Sequence, residues 1–229
     1  MAVDTAENVW VVMAAYNERP VIADVVKGIK RAGFSVVVVD DGSTDETARA
    51  AADAGAIVVQ HPINLGQGAG LQTAIEFALE EDADIIVTFD ADGQHRPQDI
   101  PALVAALRTG NADFALGSRF LGQTLNLPAS RRLLLKAATW FTRFTTGLKI
   151  TDTHNGLRAM RRRGASAIHL KQNRMAHASE ILHQIAASGL TYVECPVTIE
   201  YSAYSLGKGQ TMADSLMILV DLFARRLHR

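Results

Sequence analysis

Short apolar runs that end in acidic or glycine-containing turns alternate, over the first half of this chain, with longer stretches whose apolar residues recur at helical spacing. Repeated β-α units require this alternation, because a strand buried on both faces reads as an unbroken apolar run and its crossover helix as a one-sided stripe. The pattern predicts strands at Val9 to Ala15, Ser35 to Val39, Ala56 to Gln60, Asp84 to Phe89 and Asp113 to Gly117. It predicts helices over Pro20 to Arg31, Gln67 to Glu80 and Pro97 to Arg108, and another running to about Ala54. Ser43 or Thr44 is the expected cap of that last helix, since Asp45 and Glu46 suit the positive end of its dipole. The expected fold is α/β and Rossmann-like, a mainly parallel central sheet flanked by helices. Past Gly117 the pattern loosens into a helix over Leu133 to Thr146, a short strand at Gly156 to Met160 and an amphipathic helix over Ala176 to Ser188. A strand at Tyr192 to Tyr201, a polar loop from Ser202 to Gln210 and a terminal helix follow.

With 229 residues and neither an internal repeat nor a Pro-rich linker, residues 1–229 are expected to form a single domain. A net charge of −1 provides no general field for polyanions, which argues against nucleic acid as a partner. Cys195 is the only cysteine, so no intramolecular disulfide and no Cys-rich metal site can form, and a reducing compartment fits. Met1 to Asn8 lack the apolar core of a secretory signal, and the most apolar late segment, Met212 to Leu227, is broken by Asp214, Asp221, Arg225 and Arg226. The expectation is a cytoplasmic protein without a spanning helix.

In open α/β sheets ligands bind beyond the carboxyl ends of the strands. Three predicted strand ends carry polar turns there: Ala15-Tyr16-Asn17-Glu18, Asp40-Asp41-Gly42-Ser43 and Asp90-Ala91-Asp92-Gly93-Gln94-His95. Two carboxylates one residue apart after a buried strand can share a hard cation, with Gln94 as a further oxygen ligand. Mg²⁺ and Mn²⁺ suit such oxygen donors, and bridging a diphosphate is their usual task in nucleotide enzymes.

The succession Ala14-Ala15-Tyr16-Asn17-Glu18, Val39-Asp40-Asp41-Gly42-Ser43-Thr44-Asp45, Asn64-Leu65-Gly66-Gln67-Gly68, Phe89-Asp90-Ala91-Asp92-Gly93-Gln94-His95 and Gly117-Ser118-Arg119 resembles family 2 glycosyltransferases of GT-A fold. The later pieces Asn155-Gly156-Leu157-Arg158, Glu180 and Ser205 to Lys208 are similar to the dolichyl-phosphate mannosyltransferase and polyprenyl-phosphate glycosyltransferase branch. That resemblance implies a nucleotide-sugar-binding half over about residues 8–120 and an acceptor-binding half over about 121–229. It implies that Ala14, Tyr16, Glu18, Asp41, Gly68, Asp90, Ala91, Asp92 and Lys208 surround the nucleotide sugar, with Tyr16 against the base or ribose. Asp90, Asp92 and Gln94 are implied to hold the Mg²⁺ or Mn²⁺ ion and the diphosphate. Arg119, Arg131 and Arg132 are implied to hold the phosphate of a polyprenyl acceptor, and Asp92, Arg119 and Glu180 to take part in catalysis.

A phosphate monoester is already an anionic nucleophile at neutral pH, so inverting attack on the anomeric carbon calls for charge positioning more than for a base. Glu180 is then either a direct participant or an organiser of nearby cations. The branch commonly carries an arginine just before the loop that ends in Lys208, and here Tyr201 or Ser202 occupies that neighbourhood. Gly66-Gln67-Gly68-Ala69-Gly70 is not a dinucleotide fingerprint, since it follows the third strand and lacks the full spacing; packing at a helix start or approach to ribose explains it better. His61, His95 and His154 have no metal-ligand spacing, and structural roles are expected for them. Many polyprenyl-phosphate relatives append spanning helices, so peripheral binding at the cytoplasmic membrane face or a separate membrane-anchoring protein is expected. Two alternatives stand beside lipid-phosphate transfer: a hydroxyl acceptor on a growing glycan, with Glu180 or a neighbouring acid as base, or a non-catalytic nucleotide-binding subunit.

Overall fold

The computed structural model describes residues 7–173, 176–202 and 204. The apolar runs form the expected strands β1 (Val9–Ala15), β2 (Ser35–Asp40), β3 (Ile57–Gln60) and β4 (Ile85–Thr88). Between them lie helices α1 (Arg19–Arg31), α2 (Thr47–Asp53) and α3 (Gln67–Glu80). A 3-10 turn at Pro97–Asp99 leads into α4 (Ile100–Thr109). The later elements are β5 (Phe114–Leu125), α5 (Ala129–Thr146), β6 (Arg158–Arg161), α6 (Arg162–Ala165), α7 (His177–Ser188) and β7 (Tyr192–Glu200).

All seven strands join one sheet in the order β3-β2-β1-β4-β6-β5-β7. The pairs β1–β2, β1–β4, β2–β3 and β5–β7 are parallel, while β6 runs antiparallel to both β4 and β5. Six strands therefore present their carboxyl ends on one edge, and the turn before β6 enters that edge from the opposite direction. Apolar side chains fill both faces. Val11, Met13, Ile22, Ile29 and Leu103 belong to one core, and Val12, Val37, Ile75, Phe114 and Ile181 to the other.

Three local expectations change. Ser43 and Thr44 do not cap α2, which starts at Thr47 behind Glu46 with no side-chain cap. Instead the Ser43 hydroxyl bonds the Asp40 carboxylate and accepts from the Asn17 amide at 2.9 Å, while the Thr44 amide donates to Asn17 Oδ1 at 2.9 Å. The polar loop is thus used sideways, to tie the end of β2 to the end of β1, and Asp45 receives the Thr47 amide at 3.0 Å. Second, β5 runs well past Gly117, because a register shift between Ser118 and Gln123 lets it pair again with β7 through Leu125. Third, α5 begins at Ala129, directly after Pro128 in extended conformation, and so gains a turn on its polar end.

The register shift in β5 depends on Gly122. A β-carbon there would overlap the carbonyl oxygen of Val197 and stand 2.6 Å from its amide nitrogen. We predict that Gly122→Ala separates the outer halves of β5 and β7 and lowers stability by about 1–3 kcal/mol, as overpacking against a backbone that cannot yield does. Urea unfolding checks this: an unchanged midpoint would show that the strand pair can shift to admit a methyl group.

Candidate active site

The ends of the adjacent strands β2, β1 and β4 converge. Tyr16, just past β1, has 42% of its surface exposed and presents a ring to the edge. Glu18 is buried, its amide donating to Thr47 Oγ1 at 2.8 Å and its carboxylate receiving the Tyr204 hydroxyl at 2.8 Å. Ala14 lies under this turn with its β-carbon facing Gly70, where a side chain would come within 2.9 Å of it.

At the end of β4 the Asp90 carboxylate rests on Gly156, where any β-carbon would overlap it. His95 Nε2 stands 2.9 Å from Asp90 Oδ2, and Gln67 Nε2 reaches Oδ1 at 3.5 Å. Burial works to raise the pKa of Asp90, but the hydrogen bond from His95 and the positive surroundings of His95, Arg158 and His177 hold it below the ordinary value. Among the described residues Asp92 has no side-chain hydrogen bond of this kind. Burial, with the charge of Asp90 adding to it, pushes its pKa up to about 6, and its Oδ1 accepts the Gln94 amide at 3.0 Å. Glu18 adds to the negative potential at Asp92, which places the β1 and β4 turns in one electrostatic environment.

Such a pair suits a hard divalent cation, since charge brought to Asp92 would relieve the repulsion that raises its pKa. Among the described residues no group of three or more His, Cys, Asp or Glu side chains forms a metal site. The donor set therefore fits an ion that takes its remaining ligands from a diphosphate and water, as Mg²⁺ characteristically does. Gln94 contributes here through its backbone, donating to Asp92 and accepting the Glu200 amide at 2.9 Å.

Several expected ligands are engaged elsewhere. Asp41 is 2% exposed and accepts the amides of Leu65 and Gly66 at 2.9 and 2.7 Å, with His61 Nδ1 at 2.8 Å; it builds the turn beside the crevice. Gly68 is a packing glycine: a β-carbon would overlap the Gln172 carbonyl, and its amide donates to Asn173 at 2.9 Å. Ala91 belongs to the core. The Glu180 carboxylate accepts the amides of Lys171 and Gln172, the shortest at 2.9 Å, and so fixes the segment leading into α7. Arg119 is 6% exposed; it pairs with Asp152 at 2.6 Å, donates to Tyr201 at 2.6 Å and bonds the His154 carbonyl. Arg131 and Arg132 diverge. Arg131 lies over the Tyr201 ring, 5.1 Å from its centroid, whereas Arg132 lines a cavity of about 410 Å³ with Lys136, Arg143, Phe120 and Trp140. Lys208, the Ser205 to Lys208 loop and the terminal helix lie outside the described residues.

Sequence reasoning had no role for Arg158 and Tyr201 and none beyond structure for His95. Arg158 is buried opposite Thr88 in the β4–β6 register, and burial, opposed by Asp90 and Asp152, lowers its pKa to about 10. Only the antiparallel insertion of β6 places it there. His95 follows Asp90 by five residues, a spacing that signals nothing until the turn closes.

The layout is that of a nucleotide-sugar transferase: an aromatic and a carboxylate pair at the switch of a mostly parallel sheet. Residues 10–168 match Glycosyl transferase family 2, and the chain belongs to that family of glycosyltransferases. It is 34% identical over 173 residues to an undecaprenyl-phosphate mannosyltransferase of Micrococcus luteus, covering 71% of this chain and 70% of that one. It is 28% identical over 241 residues to a UDP-N-acetylglucosamine–dolichyl-phosphate N-acetylglucosaminyltransferase of Methanococcus voltae, covering 96% and 94%. Among solved structures it is similar to glucosyl-3-phosphoglycerate synthase from Mycobacterium tuberculosis in complex with Mn²⁺, UDP and phosphoglyceric acid. There the TM-score is 0.74 and the identity 20%, covering 96% of this chain and 78% of that one, so the likeness is one of GT-A fold.

The sign of the Asp92 shift gives a prediction. An acid whose folded pKa is raised destabilises the fold increasingly as pH rises from 3.8 and fully above about 6, so metal-free Asp92→Asn should gain stability over the parent at pH 8 and lose that advantage as pH falls from about 6 towards 3.8. Nucleoside diphosphate binding in Mg²⁺ or Mn²⁺ should weaken as pH falls through about 6 and vanish in Asp92→Ala. Calorimetry with and without EDTA decides it: unchanged affinity in Asp92→Ala would remove this carboxylate from the metal site.

Proposed function

We propose that the enzyme transfers a sugar, with inversion, from a nucleoside-diphosphate sugar to a polyprenyl phosphate. The carboxylate pair at the end of β4 carries the donor half of this reading. Asp90 and Asp92 would hold Mg²⁺ or Mn²⁺, and the ion so held would neutralise the departing diphosphate. Tyr16 would stack on the nucleoside, Glu18 would accept from it, and Asp41 would act through the Leu65–Gly66 turn that it anchors.

On the acceptor side, a phosphate oxygen attacks the anomeric carbon as the bond from that carbon to the diphosphate breaks. The proton account favours this acceptor over a hydroxyl. A hydroxyl must lose a proton, and the expected base, Glu180, is occupied by backbone amides; a phosphate monoester arrives ionised. Glu180 then serves as an organiser of the segment that packs on Gly68. The relatives described above are named for transfer to undecaprenyl and dolichyl phosphate, which supports the same acceptor class.

A lipid acceptor brings the protein to a membrane, and no helix among the described residues is long and apolar enough to cross one. Helix α5 supports peripheral binding. At 100° per residue, Leu133, Ala137, Trp140 and Phe144 fall on one stripe of its exposed side, with Arg132, Lys136 and Arg143 along the border. Leu133, Trp140 and Phe144 are 72%, 68% and 67% exposed, and the two rings stack at 5.9 Å. An aromatic stripe edged by cations suits the headgroup region of an anionic bilayer.

Two experiments test the reading. Nucleotide sugars screened with Mg²⁺ or Mn²⁺ against a short polyprenyl phosphate should give a glycosyl-phosphate product by mass, and Glu180→Gln should retain transfer. A dead Glu180→Gln together with transfer to a glycan hydroxyl would put the hydroxyl-acceptor reading in its place. Separately, phosphatidylglycerol vesicles should blue-shift the emission of Trp140, since Trp10 is buried, and Lys136→Glu with Arg143→Glu should abolish the shift. Binding only in the presence of a membrane protein would support a separate anchoring partner.

A further inference from the structure

We infer that Tyr201 is a positioning residue for the acceptor anion, holding Arg131 on its ring and itself held in place by Arg119. The inference rests on the phosphate acceptor proposed above and concerns which groups of this chain present positive charge to it.

The observations form a chain of contacts from the core outward. Asp152, 4% exposed, pairs with Arg119 Nε at 2.6 Å and also accepts the Arg119 amide at 3.0 Å. Burial works against the Arg119 charge, but Asp152 and Tyr201 together more than offset it and keep the guanidinium protonated. Arg119 Nη1 donates to the Tyr201 hydroxyl at 2.6 Å, and Tyr201 is 2% exposed. The backbone around the ring is fixed as well, for the Tyr201 amide donates to Leu125 at 3.3 Å and Asn126 Nδ2 reaches the Tyr201 carbonyl at 3.5 Å. On the ring lies Arg131, its guanidinium carbon 5.1 Å from the centroid. A guanidinium held on a ring face keeps its N–H edge available to a phosphate while losing rotamer freedom beforehand.

This arrangement divides labour between two arginines that the family resemblance both assigns to the acceptor phosphate. Arg119 faces inward and is matched to a carboxylate, so its reach to a ligand passes through Tyr201. Arg131 is half-buried and, among the described residues, carries no carboxylate partner that would oppose its meeting an anion. Tyr201 directly follows β7, whose last residue, Glu200, donates its amide to Gln94 beside Asp92 at 2.9 Å. The same strand end therefore sets the position of the acceptor cation relative to the donor carboxylates. Tyr201 thus draws an arginine of α5 to the end of β7.

The test measures acceptor KM, kcat and nucleoside diphosphate affinity in the full-length enzyme for Tyr201→Phe, Tyr201→Leu, Arg131→Ala and the double variant Tyr201→Leu with Arg131→Ala. Tyr201→Phe keeps the ring and should cause the smaller loss. Tyr201→Leu should lower kcat/KM for polyprenyl phosphate by roughly 3- to 10-fold, the size of a partly desolvated cation–π contact, and leave nucleotide affinity unchanged. Arg131→Ala should cost more in the parent than in the Tyr201→Leu background, because without the ring Arg131 is no longer presented. Thermal unfolding of each variant keeps a folding defect apart from a loss of positioning. If the folded single variants use the acceptor as the parent does, or if the two substitutions add independently, the inference is wrong. Should the parent fail to use polyprenyl phosphate at all, the acceptor assignment itself falls, and this role for Tyr201 falls with it.

Discussion

Two carboxylates one residue apart at the end of a strand buried on both faces repel each other, and the surroundings of Asp90 and Asp92 are arranged to contain that repulsion unequally. His95 and the buried Arg158 lie on the Asp90 side, which keeps that acid ionised. Asp92 accepts the Gln94 amide, and burial together with the charge of Asp90 raises its pKa to about 6. One member of the pair is thereby held as a fixed charge, while the other would be favoured in its ionised form by any cation brought beside it. Gly156 belongs to the same arrangement, because only a residue without a side chain lets the turn before β6 close on Asp90.

Unequal containment depends on the one strand that runs the wrong way. With β4 and β5 adjacent, as a fully parallel sheet would have them, no turn would enter the ligand edge from outside. Insertion of β6 between them brings Asn155, Gly156 and Arg158 under the carboxylates, with Thr88 Oγ1 donating to the Gly156 carbonyl at 2.6 Å as the link. The same turn joins the two halves of the molecule. Asp152 and the His154 carbonyl, just before Gly156, receive Arg119 at the bend of β5. The carboxylates of β4 and the Arg119 side chain thus share a few residues of backbone, so their relative positions are set by the sheet.

Much of this was legible beforehand where local periodicity decides the outcome. The boundaries of β1 and α3 follow from apolar pattern alone, and the three polar strand ends were placed at one edge before any coordinates. What sequence could not supply was partnership across long separations. Nothing local shows that Asp41 accepts the Leu65 and Gly66 amides, or that Glu180, readable as either a participant in catalysis or an organiser of nearby cations, accepts those of Lys171 and Gln172. Arg131 and Arg132 look like a pair because they are adjacent in the chain; on a helix adjacent residues point about 100° apart, and these two face different surroundings. Ser43 and Thr44 failed as caps for a related reason: their hydroxyl and amide groups found partners on Asp40 and Asn17 before a helix could begin.

The occupied state of Glu180 bears on how such a site could turn over without a dedicated base. A carboxylate that accepts several backbone amides would have to release them to take a proton, and the segment into α7 would lose its anchor at the moment of reaction. Its packing on Gly68 would loosen as well, since the Gly68 amide is bonded to Asn173 in that same segment. A nucleophile that arrives already ionised removes this conflict and leaves Glu180 its structural task. What an ionised nucleophile does require is compensation of its own charge near an acidic donor site, without drawing the donor cation away. In the function proposed above, Arg131 on Tyr201 would meet that requirement, attracting the acceptor while Asp90 and Asp92 hold the cation of the diphosphate.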